Sequence, residues 1–153
     1  MVEVTVEYLE DGEWKPQTIK LDVETDMALT DEGLDQEMCA IPSLMAKYGQ
    51  ISSELQAGML RKKNNVEFAE AELAQAIRIS HAAAGEKLTE PGIKEQINQS
   101  QEIEDMRHAA YDAERQYRML MAFYTALKEK SSLSIAMCYK QKEEIRVTNS
   151  QLN

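Results

Sequence analysis

The sequence has few of the residues that mark catalytic, metal-binding or disulfide-stabilised proteins. It contains two histidines and two cysteines among 153 residues, and Cys39 and Cys138 have neither a metal-ligand nor a redox spacing. We expect two reduced thiols rather than a disulfide. The sequence also lacks a glycine-rich phosphate loop, a nucleophile arrangement and a zinc motif. We therefore predict that the protein is not an enzyme and needs no cofactor and no metal.

Glycine, proline and long apolar runs are also scarce. There are only six glycines and three prolines, whereas Ala, Glu, Gln, Met and Lys are abundant. This composition favours helix. No apolar run approaches the roughly 20 residues that span a bilayer. The alternating Val and Glu at the start do not resemble a signal peptide. These absences predict a cytoplasmic protein with no membrane partner.

Basic residues are nearly missing from one end of the chain. Residues 1–40 hold twelve acidic and two basic residues, whereas residues 41–153 hold fifteen of each. We divide the chain into an acidic head and connector, residues 1–40, and a helical-hairpin body, residues 41–153. Because the two parts differ in charge, we expect different partners for them. The candidate partner-binding residues of the head are Trp14, Glu24, Asp26, Asp31 and Glu32.

The acidic head begins with a strand pattern. Val2, Val4, Val6 and Tyr8 alternate with polar residues, and Asp11-Gly12 is a strong hairpin-turn signal. This pattern predicts a β-hairpin over about residues 2–23. Since a lone hairpin is marginal in water, its valine face and Trp14 should dock on the helices or on a neighbouring subunit. Residues 30–38 are compatible with a short capped helix.

The body shows helical periodicity. A helix is expected from Pro42, in its first turn, to Gly85, followed by a short helix capped by Thr89. After a polar break at Asn98–Ser100, apolar and small residues step by four and three from Met106 to Ile145, as in a coiled-coil seam. The predicted fold is mainly α, a long helical hairpin with a small N-terminal β-hairpin. Two helices leave apolar faces uncovered, which predicts a homo-oligomer.

Basic residues in the body are the candidates for binding phosphates. Arg61, Lys62 and Lys63 form the densest cluster, for which a solvated helix face is the alternative interpretation. Basic residues interleaved with tyrosine and phenylalanine suit single-stranded nucleic acid, although Tyr117 and Tyr124 lie in the seam and are better explained as core. The full set of candidate DNA-binding residues is Arg61, Lys62, Lys63, Arg78, Arg115 and Arg118.

The body also resembles a known family. The features that carry the resemblance are Lys47-Tyr48, Met59-Leu60-Arg61, a glycine-containing loop, the segment from Glu90 to Ile103 and a long final helix. Over about residues 44–146 this arrangement resembles the UvsY-type recombination mediators of T4-like phages. The resemblance implies a helical homo-oligomeric ring that binds single-stranded DNA, helps to displace single-strand-binding protein and loads a RecA-like recombinase.

The resemblance has one departure and leaves two alternatives open. The family's DNA contacts involve basic residues late in the first long helix, but here residues 67–72 are mostly acidic and apolar. The expected contact therefore moves to Arg61, Lys62 and Lys63. The concentration of acidic residues in residues 1–40 is also compatible with an inhibitor of the DNA-mimic or anti-defence type. A structural helical scaffold protein is the third hypothesis.

Overall fold

The computed structural model describes residues 1–28, 34–85, 87 and 89–151, except for the side chains of 35–37 and 148–151. Two antiparallel strands open the chain and helices follow. The elements in chain order are β1 (Val2–Glu10), β2 (Glu13–Leu21), α1 (Val23–Met27), α2 (Leu34–Ala83), α3 (Glu90–Asn98) and α4 (Gln101–Gln151). The predicted fold class, a long helical hairpin with an N-terminal β-hairpin, is confirmed.

The β-hairpin forms as its alternation predicts. Glu10 pairs with Glu13 at the closed end, and Asp11 and Gly12 both have positive φ, which matches the twist of a two-residue hairpin turn. Val4, Val6 and Leu21 are buried. A two-stranded sheet cannot bury one of its own faces, so other parts of the chain cover this face. Leu9 and Trp14 pair on the opposite, exposed face.

The strand ends earlier than expected, and a helix follows at once. Val23 was expected in the second strand but begins α1, because the side chain of Asp22 caps that helix. Its carboxylate accepts from the Thr25 hydroxyl at 2.8 Å and from the Thr25 amide at 3.5 Å. These two hydrogen bonds lower the pKa of Asp22.

The expected start of α2 at Pro42 is wrong. The helix begins at Leu34 and Pro42 lies inside it. A proline in a helix interior costs about 3 kcal/mol because it removes a hydrogen bond and crowds the preceding turn. Leu34 and Ile41 are both buried, and burial of such side chains contributes about 1.5–3 kcal/mol each. The free energy gained by burying these two side chains offsets the cost of the interior proline. The expected short helix over residues 30–38 is partly outside the described residues, and its described end belongs to α2.

The described residues form two compact units. Met1–Glu54 with Arg118–Asn153 makes the first unit, and Leu55–Tyr117 makes the second. The first unit therefore holds the β-hairpin, α1, the start of α2 and the later part of α4. The second holds the later part of α2, all of α3 and the start of α4. The described helices include none that is both long enough and apolar enough to cross a membrane.

The core of the first unit follows the predicted seam. Tyr48 and Ile51 of α2 and Leu120 and Leu127 of α4 are buried. Ser134 is also fully buried, and its hydroxyl donates to the carbonyl of Lys130 at 2.9 Å, so the buried oxygen is satisfied within its own helix. The small, polar part of the seam is thus still core.

The seam ends before its expected last positions. Cys138 Sγ lies 3.0 Å from Met38 Sδ, and α2 begins only four residues before Met38. The antiparallel α4 therefore extends beyond the start of α2. Gln141 is exposed and Ile145 is 60% exposed, so these last seam positions are not buried within the chain itself.

The second unit is closed by α3. Gly85, with φ of 72°, follows the end of α2 as expected. Thr89 caps α3, accepting from the amide of Gly92 at 3.4 Å. The cap positions Ile93 and Ile97 in an apolar cluster, whose members are Ala69, Leu73, Ala74, Ile77, Ile93, Ile97 and Ile103.

Candidate nucleic-acid interface

The three basic residues of the densest cluster do not share one environment. Arg61, Lys62 and Lys63 are half-buried residues of α2. Successive helical residues point about 100° apart, so three in a row cannot line one face. Lys63 faces α4, where its Nζ lies 2.8 Å from Glu114 Oε2. One of the predicted phosphate-binding cations is therefore already paired with a carboxylate.

A second ion pair joins the same two helices one heptad away. Arg107 Nε and Nη2 lie 2.8 and 2.7 Å from Glu70 Oε1, and its Nη1 donates to Asn98 Oδ1 at 2.9 Å. The cation is on α2 in the Lys63–Glu114 pair and on α4 in this one. Glu70 follows Lys63 on α2, whereas its partner Arg107 precedes Glu114 on α4, as expected for antiparallel helices. Both pairs follow from the antiparallel register of the two helices in the second unit.

Between the two ion pairs lies an open groove of about 300 Å³. Val66 and Ala110 are buried beneath it, and Tyr111 stands 70% exposed at its side. The residues that line the groove are Lys63, Val66, Glu67, Glu70, Arg107, Ala110, Tyr111 and Glu114. Its charges are mixed, with three carboxylates and two cations.

The remaining candidate cations lie in three places. Arg78 Nη2 donates to both carboxylate oxygens of Glu90, at 3.0 Å each, and so ties α2 to the first residue of α3. Arg115 is exposed on α4 in the second unit, next to Glu114. Arg118 is exposed and belongs to the first unit. The structure thus brings Lys63 close to the Arg115 segment, while Arg78 lies near α3.

The candidate partner-binding residues of the head are also divided. Trp14 is 51% exposed and Glu24 is exposed, whereas Asp31 and Glu32 lie outside the described residues. Asp26 is held within the first unit: its Oδ2 accepts from the Tyr48 hydroxyl at 2.9 Å and lies 3.6 Å from Lys47 Nζ. Its backbone carbonyl accepts from Lys130 Nζ at 3.2 Å.

Tyr48 is the other partner in this network and its side chain is fully buried. Burial and the hydrogen bond to Asp26 raise the pKa of Tyr48 above its ordinary value, since both disfavour the phenolate. The neutral hydroxyl is therefore the form that the folded chain retains.

A metal-binding arrangement is not found among the described residues. No group of three or more His, Cys, Asp or Glu side chains there is arranged to hold a metal ion. His81 lies 3.2 Å from the Gln96 amide, and His108 lies 3.7 Å from Glu104. Within the described part of the chain, Cys39 and Cys138 are free thiols.

Sequence reasoning did not single out the groove. Glu70 and Glu114 were not recognised as partners of the cations, and Tyr111 was not distinguished from the other aromatic residues of the body. A usable signal existed: Lys63 and Glu70 are seven residues apart, as are Arg107 and Glu114, with the charges reversed. This spacing is typical of charge pairs that flank an antiparallel helical seam.

The described residues form a helical hairpin in which the short helix α3 connects the long helices α2 and α4. A similar solved structure is that of the bacteriophage T4 recombination mediator protein UvsY. Its crystal structure is similar to this chain with a TM-score of 0.65 and 12% sequence identity, covering 80% of this chain and 93% of UvsY. At this identity the likeness establishes a shared fold. No family model matches the sequence, and no curated protein matches it.

Proposed function

We propose that this protein is a non-enzymatic accessory protein of DNA recombination or replication. In this proposal it binds single-stranded DNA as a homo-oligomer, helps to displace single-strand-binding protein and loads a RecA-like recombinase. One observation carries the proposal: the fold is similar to that of a recombination mediator over 93% of the mediator's chain. Each long helix holds about a third of the chain, so a likeness over 80% of the chain must include part of both.

Local charge supports the nucleic-acid part of the proposal. Residues 41–153 are neutral overall, so attraction to phosphates must come from local groups of cations. Arg61 and Lys62 precede Lys63 on α2, and Lys63 contacts the residue before Arg115 on α4. The antiparallel helices therefore bring the basic cluster and Arg115 to the same end of the groove. Contacts to the phosphate backbone need no particular base sequence.

Exposed apolar residues support self-association. Leu133, Ile135, Ile145 and Val147 of α4 are each about half exposed or more. Burial of such residues against other copies would stabilise an oligomer. Several copies on one strand would convert weak single contacts into tight binding by raising the effective concentration.

Binding to a labelled oligothymidylate at low salt, followed by a salt titration, tests the proposal. Replacing Arg61, Lys62 and Lys63 with Gln should weaken binding and reduce the slope of log affinity against log salt by about 0.7 for each lost phosphate contact. The matched control replaces Lys140, Lys142 and Arg146, which changes the net charge equally. Absence of binding by the natural sequence, or equal losses in both triple variants, would contradict the proposal. The solution mass with and without the oligonucleotide reports oligomer formation.

An acidic inhibitor that occupies a nucleic-acid-binding partner is the second candidate function. It is favoured by the exposed carboxylates around the hairpin turn, Glu10, Asp11 and Glu13. Replacing them with Gln or Asn should abolish competition with DNA for a basic protein if the head is a mimic. The same variant should bind single-stranded DNA more tightly if the body is the DNA-binding part, because long-range repulsion falls.

A further inference from the structure

Tyr111 is placed differently from Tyr117 and Tyr124, the other tyrosines that lie beside the candidate basic residues of α4. Tyr117 and Tyr124 are half-buried, as expected for seam residues. Tyr111 is 70% exposed, although it lines the groove beside buried Val66 and Ala110. A large aromatic ring exposed at the side of a groove offers a flat apolar surface to a planar ligand.

Arginines flank this ring along the helix. Arg107 and Arg115 are four residues before and after Tyr111, so all three side chains occupy one face of α4 in successive turns, about 6 Å apart along the axis. A ring between two guanidinium groups suits a strand whose bases alternate with phosphates, because the ring takes a base and a guanidinium takes a phosphate.

The carboxylates of the groove make one of its ends, near Arg107 or near Arg115, more favourable for a phosphate. Arg107 is engaged by Glu70 and Asn98, and Glu67 also lines this part of the groove. Phosphates are repelled from that end. At the other end Glu114 is paired with Lys63, and Arg115 is exposed. The favourable path runs along Tyr111 towards Arg115 and the basic cluster of α2.

We infer that Tyr111 is a stacking site for a base of single-stranded DNA, with the adjacent phosphate held by Arg115. This inference rests on the proposed function and adds the residue that contacts the base. Stacking is available to every base because each has a π face, so this site would bind without strong sequence preference. It would not take duplex DNA, whose bases are already stacked on one another.

Substitution of Tyr111 gives the first test. Tyr111→Ala should weaken oligothymidylate binding by about 5- to 150-fold per occupied site, the range for loss of one stacked base. The salt slope should stay unchanged, since no ionic contact is lost. Tyr111→Phe retains the ring and should bind nearly as the natural sequence does. Arg115→Gln should instead reduce the slope by about 0.7.

Phe68 provides a matched control. It is 68% exposed on α2 in the same unit, and the residues four before and after it are Asn64 and Glu72. Phe68→Ala removes an equally exposed ring that has no flanking arginine, so binding should stay within about 2-fold, as for a surface change.

Photocross-linking locates the contact directly. An oligonucleotide containing 5-iodouracil, irradiated with the full-length protein, should label the tryptic peptide of residues 108–115, which contains Tyr111. If the natural sequence does not bind the oligonucleotide at all, the proposed function itself fails. If it binds but Tyr111→Ala has no effect, or label appears only on other peptides, the stacking site is wrong and the proposed function stands.

Discussion

Removing the hydroxyl group of Tyr48 tests whether Asp26 fastens the acidic head to the helices. The Tyr48 hydroxyl donates to Asp26 Oδ2 at 2.9 Å and the Tyr48 side chain is fully buried. Asp26 belongs to α1, directly after the hairpin, while Tyr48 belongs to α2 and Lys130 to α4. Tyr48→Phe deletes one contact of this network and keeps the ring that fills the core.

The expected loss follows from the surroundings of the carboxylate. A hydrogen bond to a charged group contributes about 1.5–3 kcal/mol to folding. The Asp26 side chain is 17% exposed and Lys47 Nζ remains 3.6 Å away, so water and Lys47 compensate in part. We expect a loss of about 1.5 kcal/mol, which lowers the midpoint of thermal unfolding by about 3–6 °C for a chain of this size.

Urea unfolding followed by circular dichroism measures this loss at a fixed protein concentration, because self-association would shift the apparent stability. Tyr139→Phe, at an exposed position of α4, is the control and should change little. Asp26→Ala completes a double-mutant cycle, in which Tyr48→Phe should cost almost nothing once the carboxylate is gone. Equal losses with and without the Asp26 carboxylate would refute the proposed fastening.

Three further predictions concern pH, the groove and α3. Folding raises the pKa of Tyr48, so above about pH 10 the unfolded chain loses the phenol proton while the folded chain keeps it. The free energy of unfolding should therefore be constant below about pH 10 with respect to this group and should decline above it. The decline should be smaller in Tyr48→Phe. Glu114→Gln should free Lys63 and steepen the salt slope of single-stranded DNA binding by about 0.7, and an unchanged slope would refute this role. Thr89→Ala should lower the free energy of unfolding by about 1 kcal/mol, with Thr89→Ser close to neutral.

Features determined by neighbouring residues were predictable from the sequence. The Asp11-Gly12 turn requires positive φ at both positions, and the alternating valines set the register of the strands. Thr89 and Gly85 likewise mark helix ends through their own side chain or backbone. These residues act within a few positions of themselves, so a single sequence is enough to interpret them.

Features determined by distant residues were not predictable in the same way. Pro42 is a local signal for a helix start, but burial of Leu34 and Ile41 against the rest of the first unit outweighs it. The pairing of Lys63 with Glu114 depends on the register between two helices, because these two residues lie 51 positions apart in the chain. The sequence therefore located the cations of the candidate site but not the carboxylates that hold them.

The internal pairing of these cations links the two parts of the proposed function. Lys63, Arg78 and Arg107 each have a carboxylate partner within the second unit, so a phosphate that contacts any of these three cations must compete with a carboxylate. Each phosphate contact then adds little affinity, and the acidic head opposes the approach of DNA at low salt. In the proposed oligomer, repetition of the site on several protomers would compensate, because contacts after the first would be intramolecular and would raise affinity by about 10²–10⁴. A substitution such as Ile145→Glu, thirty positions after Arg115 in the sequence, should therefore weaken DNA binding by lowering the mass of the assembly. Weak binding with the assembly intact would instead place Ile145 on the DNA path.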